Sequence, residues 1–304
     1  MSIKIVVAGG SGLVGTKLVE RLIASGNEVV VLTRGNNRIV SDSLRFAHWN
    51  IQAGELPEEE LADANAIVNL TGRGIADKRL NDKFKEEVYK SRIDSTRLLV
   101  TYLNRRESKC DTFVNASAIG YYGYDRGEEV LTEDADPGNG FMAELCVDWE
   151  KEARKAENVR TVIVRIGIVF DREEGAYKSI KAPILLGLGS ALASGKQYMS
   201  WIHIDDLVAA LQYTLTNARI EGIINATAPK PIRNKRLTGV VSDSLNKAIL
   251  MPKVPAFALK LFVGELANAL IGSINAQPKR LLEHNFIFAY PEIEAAVRNL
   301  NWNK

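Results

Sequence analysis

Eight residues near the start constrain the fold more than any others: Ala8-Gly9-Gly10-Ser11-Gly12-Leu13-Val14-Gly15, set directly after the apolar run 3–8. The spacing satisfies G-x-G-x-x-G through Gly10, Gly12 and Gly15, and G-x-x-G-x-x-G through Gly9, Gly12 and Gly15. A tight turn free of Cβ atoms lets the first N–H groups of a helix approach a pyrophosphate. The last glycine lets that helix pack close to the preceding strand. A helical pattern over 12–25 follows, so strand, loop and helix stand in the order this reading requires.

The remainder of the first 170 residues repeats that alternation. Strands are expected at 28–33, 44–49, 66–71, 112–117 and 161–169, with helices chiefly at 81–104 and 140–156. Strands separated by helices imply right-handed βαβ crossovers and hence an α/β, doubly wound parallel sheet, a dinucleotide-binding Rossmann fold over 1–175. Beyond 169 the pattern changes to a Gly- and Leu-rich stretch at 182–193 and to recurrent prolines from 229 to 291. That predicts a smaller, mainly helical C-terminal lobe over 176–304. Strands at 200–204 and 223–226 are expected to return to the main sheet.

The end of the second strand selects the nucleotide. An acidic residue there accepts from the bare ribose of NAD, whereas this strand ends in Thr33-Arg34, and a guanidinium grips a 2′-phosphate bidentately. The expected cofactor is NADP(H) in preference to NAD(H). A net charge of only +2 gives no reason to expect a nucleic-acid partner. The apolar stretch 257–271 is interrupted by Lys260, Glu265 and Asn268, too polar to span a bilayer, so no membrane partner is expected. With the glycine loop so near the first residue, no signal peptide is expected, and the default location is the cytoplasm. Two cysteines in unlike contexts and three scattered histidines suggest neither a disulfide framework nor a metal site.

Further segments narrow the class. They are Val68-Asn69-Leu70-Thr71-Gly72, Lys90-Ser91-Arg92-Ile93-Asp94-Ser95-Thr96, Ala116-Ser117-Ala118-Ile119-Gly120-Tyr121-Tyr122-Gly123 and Arg165-Ile166-Gly167-Ile168-Val169. Trp201-Ile202-His203-Ile204-Asp205-Asp206-Leu207, Asn225-Ala226-Thr227-Ala228-Pro229 and Pro278-Lys279-Arg280-Leu281-Leu282 complete the set. Together they resemble the "epimerase family" branch of atypical extended short-chain dehydrogenases, whose members carry a C-terminal domain of unknown function and are sometimes labelled cell-division inhibitors. The resemblance implies an NADP(H) site formed by Gly9, Ser11, Gly12, Leu13, Val14, Gly15, Thr33, Arg34, Leu70, Thr71, Gly72, Glu87, Arg92 and Val169. Pairing into a homodimer is a further possibility that the family suggests.

One departure limits the chemistry. Short-chain dehydrogenases use Tyr-x-x-x-Lys after the fifth strand, and the matching window here is Phe141-Met142-Ala143-Glu144-Leu145. The residues left to serve catalysis are Ser117 and either Tyr121 or Tyr122. A tyrosine without a lysine beside it keeps its proton at neutral pH, so it can give one to a developing alkoxide but is poorly suited to remove one. This favours reduction of a small carbonyl or sugar-like substrate over epimerisation that begins by oxidation. The other reading is a non-catalytic NADPH-binding scaffold or redox-responsive module. His203 with Asp205 and Asp206 reads as packing plus a helix cap, and Lys196 and Gln197 as residues of the junction loop facing a cleft.

Overall fold

The computed structural model describes residues 2–105, 108–249 and 251–302. Eight strands form its main sheet: β1 Lys4–Ala8, β2 Glu28–Thr33, β3 Arg38–Ser41, β4 Leu44–His48, β5 Ala66–Asn69, β6 Thr112–Ala118, β7 Arg160–Ile166 and β8 Gly222–Ala226. Their spatial order is β8-β7-β6-β5-β1-β2-β4-β3, parallel throughout except for β3 against β4. The chain leaves β1 toward one edge and returns at β5 on its other side. This reversal opens a crevice at the carboxyl ends of β1 and β5, where doubly wound sheets bind ligands.

Alternation along the strands supplies two cores. Ile5, Val7, Val29 and Val31 face one side, packed by helix α1 (Leu13–Ala24) and by Ile204–Thr216. Val6, Ala8, Val30 and Leu32 face the other, with Leu99, Val100 and Leu103 of helix α2 (Asp82–Leu103). Strands buried on both faces read as continuous apolar runs, which is why β1, β2 and β5 were visible in the sequence. Helix α2 starts where Asn81 Oδ1 accepts from Phe84 N at 2.9 Å, an ordinary side-chain cap. Helix α3 (Phe141–Ala153) starts at Gly140, whose φ of +92° suits only glycine.

Two expectations are corrected. The predicted strand 161–169 breaks at Gly167, whose N donates to Ala226 O at 3.0 Å. A Cβ at Gly167 would lie 2.8 Å from Ser200 O, so the chain squeezes between two backbones and turns out of the sheet. Ile168–Phe170 then pairs with Trp201–His203 as a separate parallel ribbon. The segment 200–204 therefore does not return to the main sheet, whereas 223–226 lies in β8 beside β7. Strand β3 was missed, because all four of its residues are exposed and carry no burial pattern. The C-terminal residues thread back as well: Asn275–Ala276 pairs with Val130–Leu131.

The glycines of the loop have unlike duties. A Cβ on Gly15 would stand 2.2 Å from Gly9 O and 2.6 Å from Gly10 Cα, whereas one on Gly12 would meet only Gly9 O at 3.6 Å. Gly15→Ala is therefore expected to destabilise the protein by about 1–3 kcal/mol, the usual cost of overpacking. Gly12→Ala should leave the melting temperature nearly unchanged, and thermal unfolding followed by circular dichroism compares the two.

Candidate functional site

The crevice is built from three loops in contact. Gly9 holds φ +80°, and a Cβ there would collide with Leu70 C and O at 2.7 Å, so the loop after β1 lies directly on the loop after β5. Helix α1 begins at Gly12 with no side chain capping its first N–H groups. These donors, with the positive end of the helix, are what an anion requires. Ser11 and Gly12 are exposed, Leu13 and Val14 half-buried, and Gly15 buried. On the far side, a Cβ on Gly175 would sit 3.4 Å from Val169 O and 3.6 Å from Leu13 Cδ2, which brings Val169 to the same rim.

At the end of β2 the turn organises itself without using Arg34. Thr33 Oγ1 accepts from Gly35 N at 3.0 Å, Gly35 O lies 2.9 Å from His48 Nδ1, and Asn37 Oδ1 accepts from His48 N at 2.6 Å. Arg34 is exposed and meets no carboxylate among the described residues. Its guanidinium is thus free to serve a ligand.

Behind the β5 loop lies a buried polar cluster that the sequence had not disclosed as one unit. Asn69 Nδ2 donates to Thr96 Oγ1 at 2.9 Å and to Asn115 Oδ1 at 2.7 Å. Its Oδ1 accepts from Thr71 N at 3.1 Å and from Thr71 Oγ1. Trp149 Nε1 donates to Thr96 Oγ1 at 2.8 Å, and Thr71 Oγ1 lies 2.7 Å from Ser95 Oγ. Thr71 thus points inward, while Leu70 is half-buried against Ile93, Ala116 and Trp149 and Gly72 is exposed. Gly72 lies under the Arg92 guanidinium, since a Cβ there would be 2.9 Å from Arg92 Cζ. Arg92 donates to Arg73 O at 3.0 Å and stacks 5.2 Å from the Trp149 ring centroid; burial holds its pKa below the ordinary value. Glu87 is paired with Arg73 at 2.5 Å. Glu87 and Arg92 therefore brace the Gly72–Arg73 backbone.

The three candidate catalytic hydroxyls part company. Ser117 is buried and donates to Glu150 Oε1 at 2.8 Å. Glu150 in turn receives Arg165 through Nε at 2.8 Å and Nη2 at 3.0 Å, a bidentate pair with both side chains buried. Tyr122 is fully buried: its hydroxyl lies 2.7 Å from Asn225 Oδ1 and 2.9 Å from Thr132 O, and it accepts from Arg165 Nη1 at 3.1 Å. Burial, opposed by Arg165, holds that phenol above its usual pKa. Neither Ser117 nor Tyr122 presents a spare proton to the crevice in this arrangement. Tyr121 is only half-buried; its ring lies 3.3 Å under the Arg165 guanidinium, and its hydroxyl has no partner among the described residues. The signal for this network was Arg165 itself, a charge set between Val164 and Ile166 in an apolar stretch of the strand.

Where short-chain dehydrogenases carry the tyrosine and lysine, Leu145 is buried against Leu80, Phe84 and Val88, with Phe141 and Leu266 packed on the same cluster. His203 caps Ile204–Thr216 by accepting from Asp205 N at 3.1 Å, so the expected cap is the histidine and not an aspartate. Asp206 accepts from Ala289 N and Tyr290 N. Gln197, expected to face the cleft, is buried and donates to Leu192 O and Leu270 O, both at 3.1 Å; only Lys196 is exposed.

Fold, loop and crevice together define a dinucleotide-binding α/β protein of the Rossmann class. Residues 5–226 match the NAD dependent epimerase/dehydratase family, to which this chain belongs, and residues 254–300 match a domain of unknown function, DUF1731. Epimerase family protein Mb2239 of Mycobacterium bovis is 35% identical over 297 residues, 96% of each chain. A crystal structure of the human epimerase family protein SDR39U1 (isoform 2) with NADPH superposes with a TM-score of 0.87 at 28% identity, over 98% of this chain and 99% of that one. A nucleoside-diphosphate sugar epimerase from Corynebacterium glutamicum superposes with a TM-score of 0.79 at 29% identity, over 98% of this chain and 57% of that one.

The site also carries a pH signature. Glu133 is buried, its Oε1 accepts from Asn225 N at 3.0 Å and Arg280 N at 3.2 Å, and its Oε2 has no partner among the described residues. Burial, only partly offset by those N–H groups, raises its pKa. A carboxyl with a raised folded-state pKa costs stability once the pH exceeds its unfolded value of about 4.3. Glu133→Gln is expected to raise stability at pH 7, with the gain vanishing as the pH falls through the ordinary carboxylate range. Urea unfolding of both proteins at a series of pH values checks this.

Proposed function

We propose that this chain binds NADPH in the crevice between β1 and β5 and acts as a reductase of a small carbonyl compound. The observation that carries the binding is the pairing of an uncapped, Cβ-free helix start with an arginine that has no partner among the described residues. The amide groups at 13 and 14 hold the pyrophosphate, Arg34 with the Thr33 turn takes the 2′-phosphate, and Leu70, Gly72 and Val169 wall the groove. The relative solved with NADPH supports the same choice of nucleotide. When bound, the cofactor supplies a hydride to the carbonyl carbon. Tyr121, the one hydroxyl of the three not consumed by the fold, gives its proton to the oxygen as charge develops there. The proposed working place is the cytoplasm, in keeping with two free, buried thiols, Cys110 and Cys146, whose pKa values burial pushes up to about 11.

The apolar Phe141 and Leu145 favour a second reading, a non-catalytic NADPH-binding module. The two readings part on turnover. NADPH oxidation with a panel of aldehydes and ketones should be measurable and should fall about a hundredfold in Tyr121→Phe, within the usual worth of a positioned proton donor. Binding of NADPH without oxidation across the panel establishes the module instead.

Binding itself is tested by calorimetry. Arg34→Ala should weaken NADPH by about ten- to a hundredfold, the worth of a charge-assisted contact, and leave NADH little changed. Equal losses exclude the 2′-phosphate contact. Gly12→Leu should abolish binding of both while the protein stays folded.

A further inference from the structure

One surface is unlike the rest. Helix Ala256–Val263 has no buried residue, and Phe257, Leu261 and Phe262 are 75%, 70% and 80% exposed. Leu186, at the end of helix Gly175–Leu185, is 75% exposed, with Leu185, Leu188, Ile249 and Met251 also in water. The two segments are bonded side by side: Val254 N donates to Ala191 O at 3.0 Å, Ala193 N to Val254 O at 2.8 Å, and Ser190 Oγ to Pro252 O at 2.5 Å. Exposed apolar residues so clustered mark an interaction surface, because water alone gives such a helix no packing energy.

Charge identifies what covers it. Residues 175–196 and 244–264 contain six lysines, at 178, 181, 196, 247, 253 and 260, and no aspartate or glutamate. The whole chain is only +2, so the remainder is net acidic. None of these lysines meets a carboxylate among the described residues; Lys253 Nζ donates to Ser194 O at 3.0 Å. A second copy docked symmetrically here would set lysine against lysine, which disfavours self-association. The partner must offer both an apolar layer and dense negative charge.

We propose that this face docks on the surface of an anionic lipid bilayer. Phe257, Leu261 and Phe262 enter the boundary between headgroups and acyl chains, with Leu186 and Leu188 beside them. The lysine stems lie along that apolar layer and carry their ammonium groups out to the phosphates. No helix among the described residues is long and apolar enough to cross a membrane, so the attachment is peripheral and reversible. The helix ends at Gly264, whose φ is +64°, and in the turn Gly264–Leu266 that follows, Leu266 packs on the Leu145 cluster, so docking would set that cluster close to the lipid surface.

Vesicle flotation with the full chain tests this. Binding is expected to vesicles of equal parts phosphatidylglycerol and phosphatidylcholine, to fall at least about tenfold on pure phosphatidylcholine, and to weaken with salt. The pair Phe257→Ser and Phe262→Ser should abolish it, and Lys253→Gln with Lys260→Gln should weaken it by about tenfold or more. Ile39→Ser, at an apolar residue 77% exposed on β3 and away from this face, should change nothing. Melting temperature and NADPH affinity, unchanged in every variant, show that the fold and the nucleotide site are intact. Absence of flotation, equal flotation of the Phe257/Phe262 variant, or binding indifferent to lipid charge overturns the proposal. A dimer that the same double variant dissociates, without flotation, assigns the face to self-association and also overturns it.

Discussion

The structure depends on how closely the loop after β1 can lie against its neighbours. Gly9 presses on the Leu70 carbonyl and Gly15 on the Gly9 carbonyl, both at distances that no side chain survives. That contact fixes the start of α1 over the crevice between β1 and β5, where no side chain caps its first N–H groups. Gly12, by contrast, has open space above it, and that space is what a ligand needs. The same few residues therefore divide between holding the backbone together and keeping a place empty.

A second constraint sits two strands from β5, on β7. Arg165 is buried, so its charge must be met, and Glu150 meets it with both oxygens while also accepting a hydrogen bond from the Ser117 hydroxyl. Removing either partner would leave an uncompensated charge in the core, which makes the pair an organiser of β6, β7 and α3 at once. Through Tyr122 and Asn225 it reaches β8, and through Glu133 it reaches the backbone at Arg280. The C-terminal segment is thus wired to the sheet through polar contacts, as well as through the Asn275–Ala276 strand pair.

The fold was legible because its signals are local. Apolar runs, helical spacing and the glycine loop each fall within a dozen residues, and seven of the eight main-sheet strands were anticipated within a few residues of their ends. Strand β3 was not, since its side chains are all in water. The break at Gly167 was hidden because its cause is a carbonyl at Ser200, far along the chain. The glycine loop and the Thr33-Arg34 strand end are legible for the same local reason, since each lies within a few consecutive residues. The fates of Ser117 and Tyr122 could not, because their hydroxyls are claimed by Glu150, Thr132 and Asn225, and only the folded chain brings most of those together. A hydroxyl at a familiar position is a candidate until its proton has been accounted for.

The same accounting explains why the usual tyrosine and lysine cannot simply be absent by small change. Leu145 stands among Leu80, Phe84 and Val88, with Leu266 from the C-terminal segment closing the cluster. An ammonium there would be buried without a partner, a cost far larger than one cluster of this size supplies. Apolar residues at 141 and 145 therefore belong to a coherent packing arrangement that joins α2, α3 and the C-terminal segment. In the reductase reading the proton donor has to lie outside that cluster, and of Ser117, Tyr121 and Tyr122 only Tyr121 has a hydroxyl with no partner among the described residues.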